Sequence, residues 1–118
     1  MAFGVKHSLT MTTVGTSSNA TEYTPVIPYG NVNRIQFKLG TMSTTADIDV
    51  TTETSSIVIW TQANIIVDAT VLPRQAIVTT TGGASTTQEP IMVVGERIKV
   101  AVTNAGAAKV GTVEIIVT

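Results

Sequence analysis

The 118-residue sequence contains no cysteine, few charged residues and few aromatic residues. Without cysteine it cannot form a disulfide scaffold, a thiol nucleophile or a cysteine-ligated zinc site. Charged residues make up 13% of the chain, about half the usual share. The seven basic residues are scattered along the sequence, so no basic patch that could neutralise nucleic-acid phosphates is visible. We therefore expect no direct contact with nucleic acid.

Long apolar runs are also missing. No segment approaches the length of a membrane span, and residues 1–14 lack the apolar stretch of a signal peptide. These features predict a protein that is made in the cytoplasm and has no membrane contact. The net charge of -1 leaves little repulsion between copies, which suits a protein that associates with others.

Threonine and valine are prominent in the sequence, whereas helical periodicity is nearly absent. Both residues are β-branched and favour pleated, half-buried strands. Residues Asn33–Leu39, Ala46–Thr52 and Glu96–Thr103 alternate between apolar and polar side chains. Such alternation is typical of antiparallel strands that have one dry face and one wet face.

The other strand-like segments are short and are separated by Gly, Pro, Asn and Ser-Thr turns. The predicted strands are Leu9–Val14, Tyr23–Ile27, Asn33–Leu39, Ala46–Thr52, Ser56–Thr61, Ile65–Ala69, Gln75–Thr80, Glu96–Thr103 and Val110–Val117. Ser56–Thr61 and Ile65–Ala69 are either two strands or one bulged strand, and the last two segments are predicted to form a closing hairpin. Residues 81–85 are predicted to be a loop.

About eight strands, with no repeat and no linker, predict a single domain over residues 1–118. We expect an all-β fold, a two-sheet antiparallel β-sandwich of jelly-roll-like form. Seven strands would instead suggest an immunoglobulin-like sandwich. Periodicity does not reveal the order in which strands pair, so it does not separate the two.

Residues that could support catalysis or metal binding are isolated in the sequence. Asp47 and Asp49 share one face of a predicted strand, but no further acidic residues lie nearby to complete a calcium shell. They are expected to be a solvated strand face. His7 is the only histidine, and no Gly-x-Ser-x-Gly motif is present. We expect no catalytic residue, no metal and no cofactor, and therefore a protein that is not an enzyme.

Three segments are apolar on both strand faces, at residues 57–60, 63–67 and 114–117. Because an antiparallel sheet normally has one wet face, a strand with two apolar faces predicts a second partner. In a chain without helices, that partner is expected to be another subunit. Trp60 lies in the first segment and belongs to the core or to an interface. The enrichment of tryptophan at binding hot spots favours the interface.

The C-terminal third consists of two strand-like segments, Pro90–Val102 and Lys109–Val117, which flank a short Gly/Ala loop. Together with Asn33–Phe37 and Ala46–Thr51, these segments resemble small structural proteins of tailed bacteriophages, and the C-terminal third resembles their ending. Many such proteins are head decoration, or cement, proteins with a β-sandwich or jelly-roll fold. The resemblance implies a homo-oligomer, with a trimer favoured, that binds across major-capsid-protein boundaries on the surface of the virion. It implies no cofactor.

Binding in such a protein is expected at termini and loops. We predict capsid contacts at Met1, Ala2, Phe3, Gly4 and Val5 and in loops such as residues 41–45. Two alternatives remain open. The chain is either another virion component, such as a connector, tail or fibre subunit, or a carbohydrate-binding module in which Trp60 and the tyrosines line an open face.

Overall fold

The computed structural model describes residues 4–15, 18–78 and 84–118. Within these residues the protein is all-β, with ten strands and no helix. The strands are β1 (Val5–Thr12), β2 (Ala20–Tyr23), β3 (Gly30–Lys38), β4 (Asp47–Thr52), β5 (Val58–Gln62), β6 (Ala69–Val71), β7 (Arg74–Val78), β8 (Ala84–Val93), β9 (Ile98–Thr103) and β10 (Val110–Val117). They form two antiparallel sheets, as the alternation in the sequence predicted.

The order of the strands is that of a jelly roll. One sheet runs β1-β10-β3-β8-β7, with β6 also paired to β3, and the other runs β2-β9-β4-β5. The first half of the chain pairs with the second half in reverse: β1 with β10, β2 with β9, β3 with β8 and β4 with β5. These four pairs alternate between the sheets and are joined by the β10–β3 and β9–β4 pairings. This double Greek-key winding defines the jelly roll and confirms the predicted fold class.

The strand prediction is wrong in several places. The described residues contain ten strands and not eight, because β8 was missed. Of the predicted loop at residues 81–85, Ala84 and Ser85 belong to β8, and residues 81–83 lie outside the described residues. The predicted strand Tyr23–Ile27 overlaps β2 only at Tyr23, and the predicted strand Ile65–Ala69 overlaps β6 only at Ala69. The last two strands also do not form a closing hairpin. β9 belongs to the four-stranded sheet and β10 to the six-stranded sheet, because residues 104–109 cross from one sheet to the other.

The hydrophobic core lies between the two sheets. Along β9, Ile98, Val100 and Val102 are buried while the residues between them are half-buried. In the six-stranded sheet, β3 contributes Phe37, the largest of the fully buried side chains, and its neighbour β10 contributes Ile115. The buried face of each central strand is thus the apolar face that the sequence pattern indicates.

Three buried threonine side chains form hydrogen bonds with the backbone. Thr13, Thr24 and Thr52 are buried polar residues, and each hydroxyl is hydrogen-bonded to loop or strand backbone. The Thr13 hydroxyl accepts the backbone N–H of Lys109 at 2.8 Å, and the Thr24 hydroxyl accepts that of Ile98 at 3.0 Å. Buried backbone groups need such partners, so these threonines hold connections onto the sandwich.

Candidate interaction surfaces

The acidic pair on β4 holds loops in place. The carboxylate of Asp47 accepts the backbone N–H of Asn64 at 2.9 Å and the side-chain amide of Asn104 at 2.8 Å. The hydrogen bond from Asn64, followed by that from Asn104, lowers the pKa of Asp47. Asp49 accepts the hydroxyl of Thr61 on β5. In the described part of the chain no cluster of His, Cys, Asp and Glu could hold a metal ion.

A shallow apolar cavity of about 280 Å³ lies where β1 begins and β10 ends. His7, which is half-buried opposite Ile115 on β10, lines it together with Val5 and Tyr29. The side chain of Tyr29 is 66% exposed and that of Val5 is 54% exposed, so the cavity is open to solvent. Of the predicted N-terminal contacts, Gly4 and Val5 lie here and are exposed, while Met1, Ala2 and Phe3 lie outside the described residues.

The predicted contact loop at residues 41–45 lies at the other end of the sandwich. Thr41 donates its backbone N–H to Val110 at 2.9 Å, and Ser43 donates to Ala105 at 2.9 Å. Val110 pairs with Thr12, at the end of β1 far from Val5. The structure therefore does not bring the two predicted capsid-contact regions together.

Trp60 lies on β5, the edge strand of the four-stranded sheet. It is half-buried and packs against the core, opposite the buried Val50. Strict alternation along β5 would place Trp60 on the same face as Val58, two residues before it. A register shift between Val50 and Thr51 breaks this alternation, so the two side chains do not share a face. The buried neighbour Ile59 follows the same side as Trp60, so the indole is part of the sandwich edge and not a free platform.

The three segments that were predicted to be apolar on both strand faces differ from one another in the structure. Residues 63–67 form a loop in which Ile66 is 66% exposed and Val67 is 64% exposed. On β10, Ile116 is the outward residue, and it pairs with Lys6 and Arg34 on the neighbouring strands. The outer face there is charged, so it is not a second apolar face.

The β5 edge is the apolar segment that remains unpaired. Among the strands that the structure describes, β5 pairs with β4 alone, and Val58 is 58% exposed. No charged residue occurs between Glu53 and Asp68. Native edge strands are commonly protected by charge, proline or short length. β5 carries no charge and no proline, so it is an edge open to another strand.

A hairpin extends from the six-stranded sheet. We call the hairpin formed by β7 and the Ala84–Pro90 part of β8 the arm. β6 pairs with Ile35–Phe37 of β3, and the end of β8 pairs with Gly30–Val32 of the same strand. β6 and the end of β8 therefore lie one after the other along the same edge of β3. The arm is the part of the chain between these two segments, and it extends away from the sheet there. β7 is hydrogen-bonded only to β8 among the described strands, so its outer edge is unpaired.

The dimensions of the molecule agree with a projecting arm. The Cα radius of gyration is 15.0 Å, compared with about 13.5 Å for a compact chain of this length. The principal extents are 49 × 29 × 24 Å. An isolated two-stranded hairpin is at best marginally stable in water, and within the described residues β7 has no neighbouring strand other than β8.

The turn between β8 and β9 is tied to the turn between β4 and β5. Glu96 accepts the backbone N–H groups of Thr54 and Ser55 at 2.7 and 2.9 Å. Arg97 pairs with Glu53 and lies 4.1 Å from the ring centre of Tyr23. The hydrogen bond from Arg97 lowers the pKa of Glu53. A guanidinium therefore covers one face of Tyr23.

No known family model matches the chain, and no curated protein sequence matches it. The part of the chain that the structure describes contains no helix able to cross a membrane.

Proposed function

We propose that the protein is a structural component of a bacteriophage virion, a decoration protein that binds across major-capsid-protein boundaries and stabilises the head. The observation that carries this proposal is the arm, which extends from a jelly roll whose eight strand positions are already filled without it. A ribbon whose two strands pair with each other is explained by contact with a neighbour. The resemblance of the C-terminal third to phage structural proteins supplies the class of neighbour.

The hydrogen bonds and positions of the polar residues support a binding role over a catalytic one. Asp47 and Glu96 are engaged with loop backbone groups, and His7 lines an apolar cavity. A nucleophile, a base and an orienting group would have to meet for acid–base or covalent catalysis. A decoration protein requires only a stiff scaffold and complementary surfaces, which a threonine-tied jelly roll provides.

The carbohydrate-binding alternative needs exposed aromatic rings on one face. Trp60 packs against the core, and Arg97 stacks on Tyr23. Tyr29 is open, but it lies at the end of the sandwich beside the cavity. These positions favour a protein partner over a sugar.

Co-sedimentation with expanded, emptied capsids of the phage that encodes the chain tests the proposal. We expect saturable binding, with the protein on the capsid surface, and a higher melting temperature of the loaded capsid. Unexpanded procapsids and an unrelated β-sandwich of similar size are the controls. Absence of saturable binding at micromolar concentrations would overturn the proposal, and binding to a glycan array in its place would establish the alternative.

A further inference from the structure

Two unpaired strand edges lie on the same side of the sandwich. β1 and β2, the first strands of the two sheets, contact each other along one side. The order of the sheets then places β5 and the arm on the opposite side. Each of these edges exposes backbone N–H and C=O groups in a row, which is a template for pairing with another strand.

The two edges have matching electrostatic character. Residues 54–67, which contain β5, carry no charged residue in the sequence, and neither do residues 75–78 of β7 or residues 84–88 of β8. Charges of the arm occur only at its base, at Arg74 and Glu89. Pairing the two edges would place a single charge, that of Arg74 at the first position of β7, at one end of the contact and none along the rest of it. Burial of an unpaired charge is the main penalty at such a contact.

We propose that the arm of one copy pairs with the β5 edge of a second copy of this chain. β7 and β5 are each five residues long, which corresponds to about 17 Å of strand. A partner for a strand edge must itself supply a strand edge, and this chain supplies both. Antiparallel pairing, the more frequent arrangement, places the start of β7 opposite the end of β5.

The contact stabilises both of its participants. The arm would no longer be a two-stranded ribbon. Its two strands would extend the β2-β9-β4-β5 sheet of the second copy beyond β5. The exposed Val58 and Ile57 would be covered in the same step. Because both edges lie on one side, two copies can exchange arms reciprocally. The contact involves no capsid protein, so it is tested on the purified chain and its result is separate from the capsid-binding result.

Excision of the arm is the first test. Val71 pairs with Ile35 and Ile91 with Val32, which leaves two positions of β3 between them. Joining Pro73 directly to Ile91 fills both positions with residues 72 and 73 and restores one continuous strand. We expect this variant to keep the far-ultraviolet circular dichroism of a β protein and to be a monomer, where the full chain is an oligomer by light scattering.

A single charge on β5 provides a test that keeps the arm intact. Val58→Lys places an ammonium on the exposed edge, and Thr10→Lys places the same charge on β1, another edge strand, at a residue that is also exposed. We expect Val58→Lys to weaken self-association by at least about tenfold, because the charge must be desolvated in the contact. Thr10→Lys should leave the measured mass unchanged.

Disulfide trapping identifies the contact itself. The chain has no cysteine, so Gln62→Cys on β5 and Gln75→Cys on β7 can each be the sole thiol of a tagged chain. Mixing the two under oxidising conditions should give a disulfide between the different chains. A monomeric full chain at about 100 μM, an oligomer that survives both excision and Val58→Lys, or cross-links only between identical variants would overturn the proposal.

Discussion

Gly40→Ala is the substitution whose effect the structure specifies most sharply. Gly40 follows the loop start at Leu39 and has a φ of 58°, in the left-handed region that residues with a side chain rarely adopt. A Cβ built at this position lies 2.3 Å from the carbonyl oxygen of Val110. The obstacle is backbone in the sheet, so it cannot rotate away as a side-chain end would.

The cost follows from three effects. The left-handed conformation costs an alanine about 1–2 kcal/mol, and forcing the chains apart costs about 1–3 kcal/mol. Moving the Val110 carbonyl also disturbs its hydrogen bond from the backbone N–H of Thr41 at 2.9 Å. We expect a loss of about 3–5 kcal/mol in the free energy of unfolding, a large part of the 5–15 kcal/mol typical of a domain.

Gly95→Ala is the matched control, because Gly95 also has a positive φ of 67° but no atom within 4 Å of a built Cβ. Gly95→Ala should lower the free energy of unfolding only by the cost of the left-handed conformation, about 1–2 kcal/mol. Urea unfolding followed by tryptophan fluorescence measures both variants, since Trp60 is the sole tryptophan and packs against the core. Equal losses for the two variants would refute the close approach of Gly40 to Val110.

Two further predictions concern buried and charged hydrogen-bonding groups. Thr24→Val leaves the backbone N–H of Ile98 without its side-chain partner and should lower the unfolding free energy by about 1–3 kcal/mol, whereas the exposed Thr10→Val should change it by less than about 0.5 kcal/mol; urea titrations that gave both variants the same stability would contradict this. The pKa values of Asp47, Glu53 and Glu96 are lowered in the folded state, so stability should be fully present above the unfolded pKa values and fall below about pH 4. Melting temperatures between pH 3 and 7 test this, and Glu96→Gln should show a smaller drop than the unmodified chain.

The sequence was most informative where a strand has one face on the core. β3, β4 and β9 were each predicted from alternation, because each contributes buried side chains on one face and polar ones on the other. The same reasoning fails for β8, although it found β7. In Ala84–Glu89 the sequence has no apolar alternation, so this part of β8 lacks the pattern from which the other strands were predicted.

Loops near the core also misled the periodicity argument. Residues 63–67 read as part of a strand, yet only Ile65 is buried, and its backbone N–H bonds to Ala46 in a loop. A short apolar run fits a strand and an anchored loop equally well. The bulge that turns Trp60 toward the core is a comparable case, since one extra residue reverses every parity assignment beyond it.

Roles that depend on distant partners could not be predicted at all. Asp47 and Asp49 read as a solvated pair, whereas Asp47 joins the loops that contain Asn64 and Asn104. These residues are separated from it by many positions and meet it only because β4 lies between β5 and β9. The strand order that creates the meeting is set by loops that cross between sheets, and alternation contains no information about such crossings.

The hydrogen bonds of the acidic side chains show what the few charged residues do in this fold. Asp68 accepts the backbone N–H of Leu39, and Glu96 accepts those of the β4–β5 turn. Acidic groups thus hold connections together instead of keeping edges apart. β5 and residues 75–78 of β7 carry no charge. An uncharged, unpaired strand edge is a template for pairing with another strand. In the self-association that we propose, a second copy would cover these edges with almost no charge to desolvate.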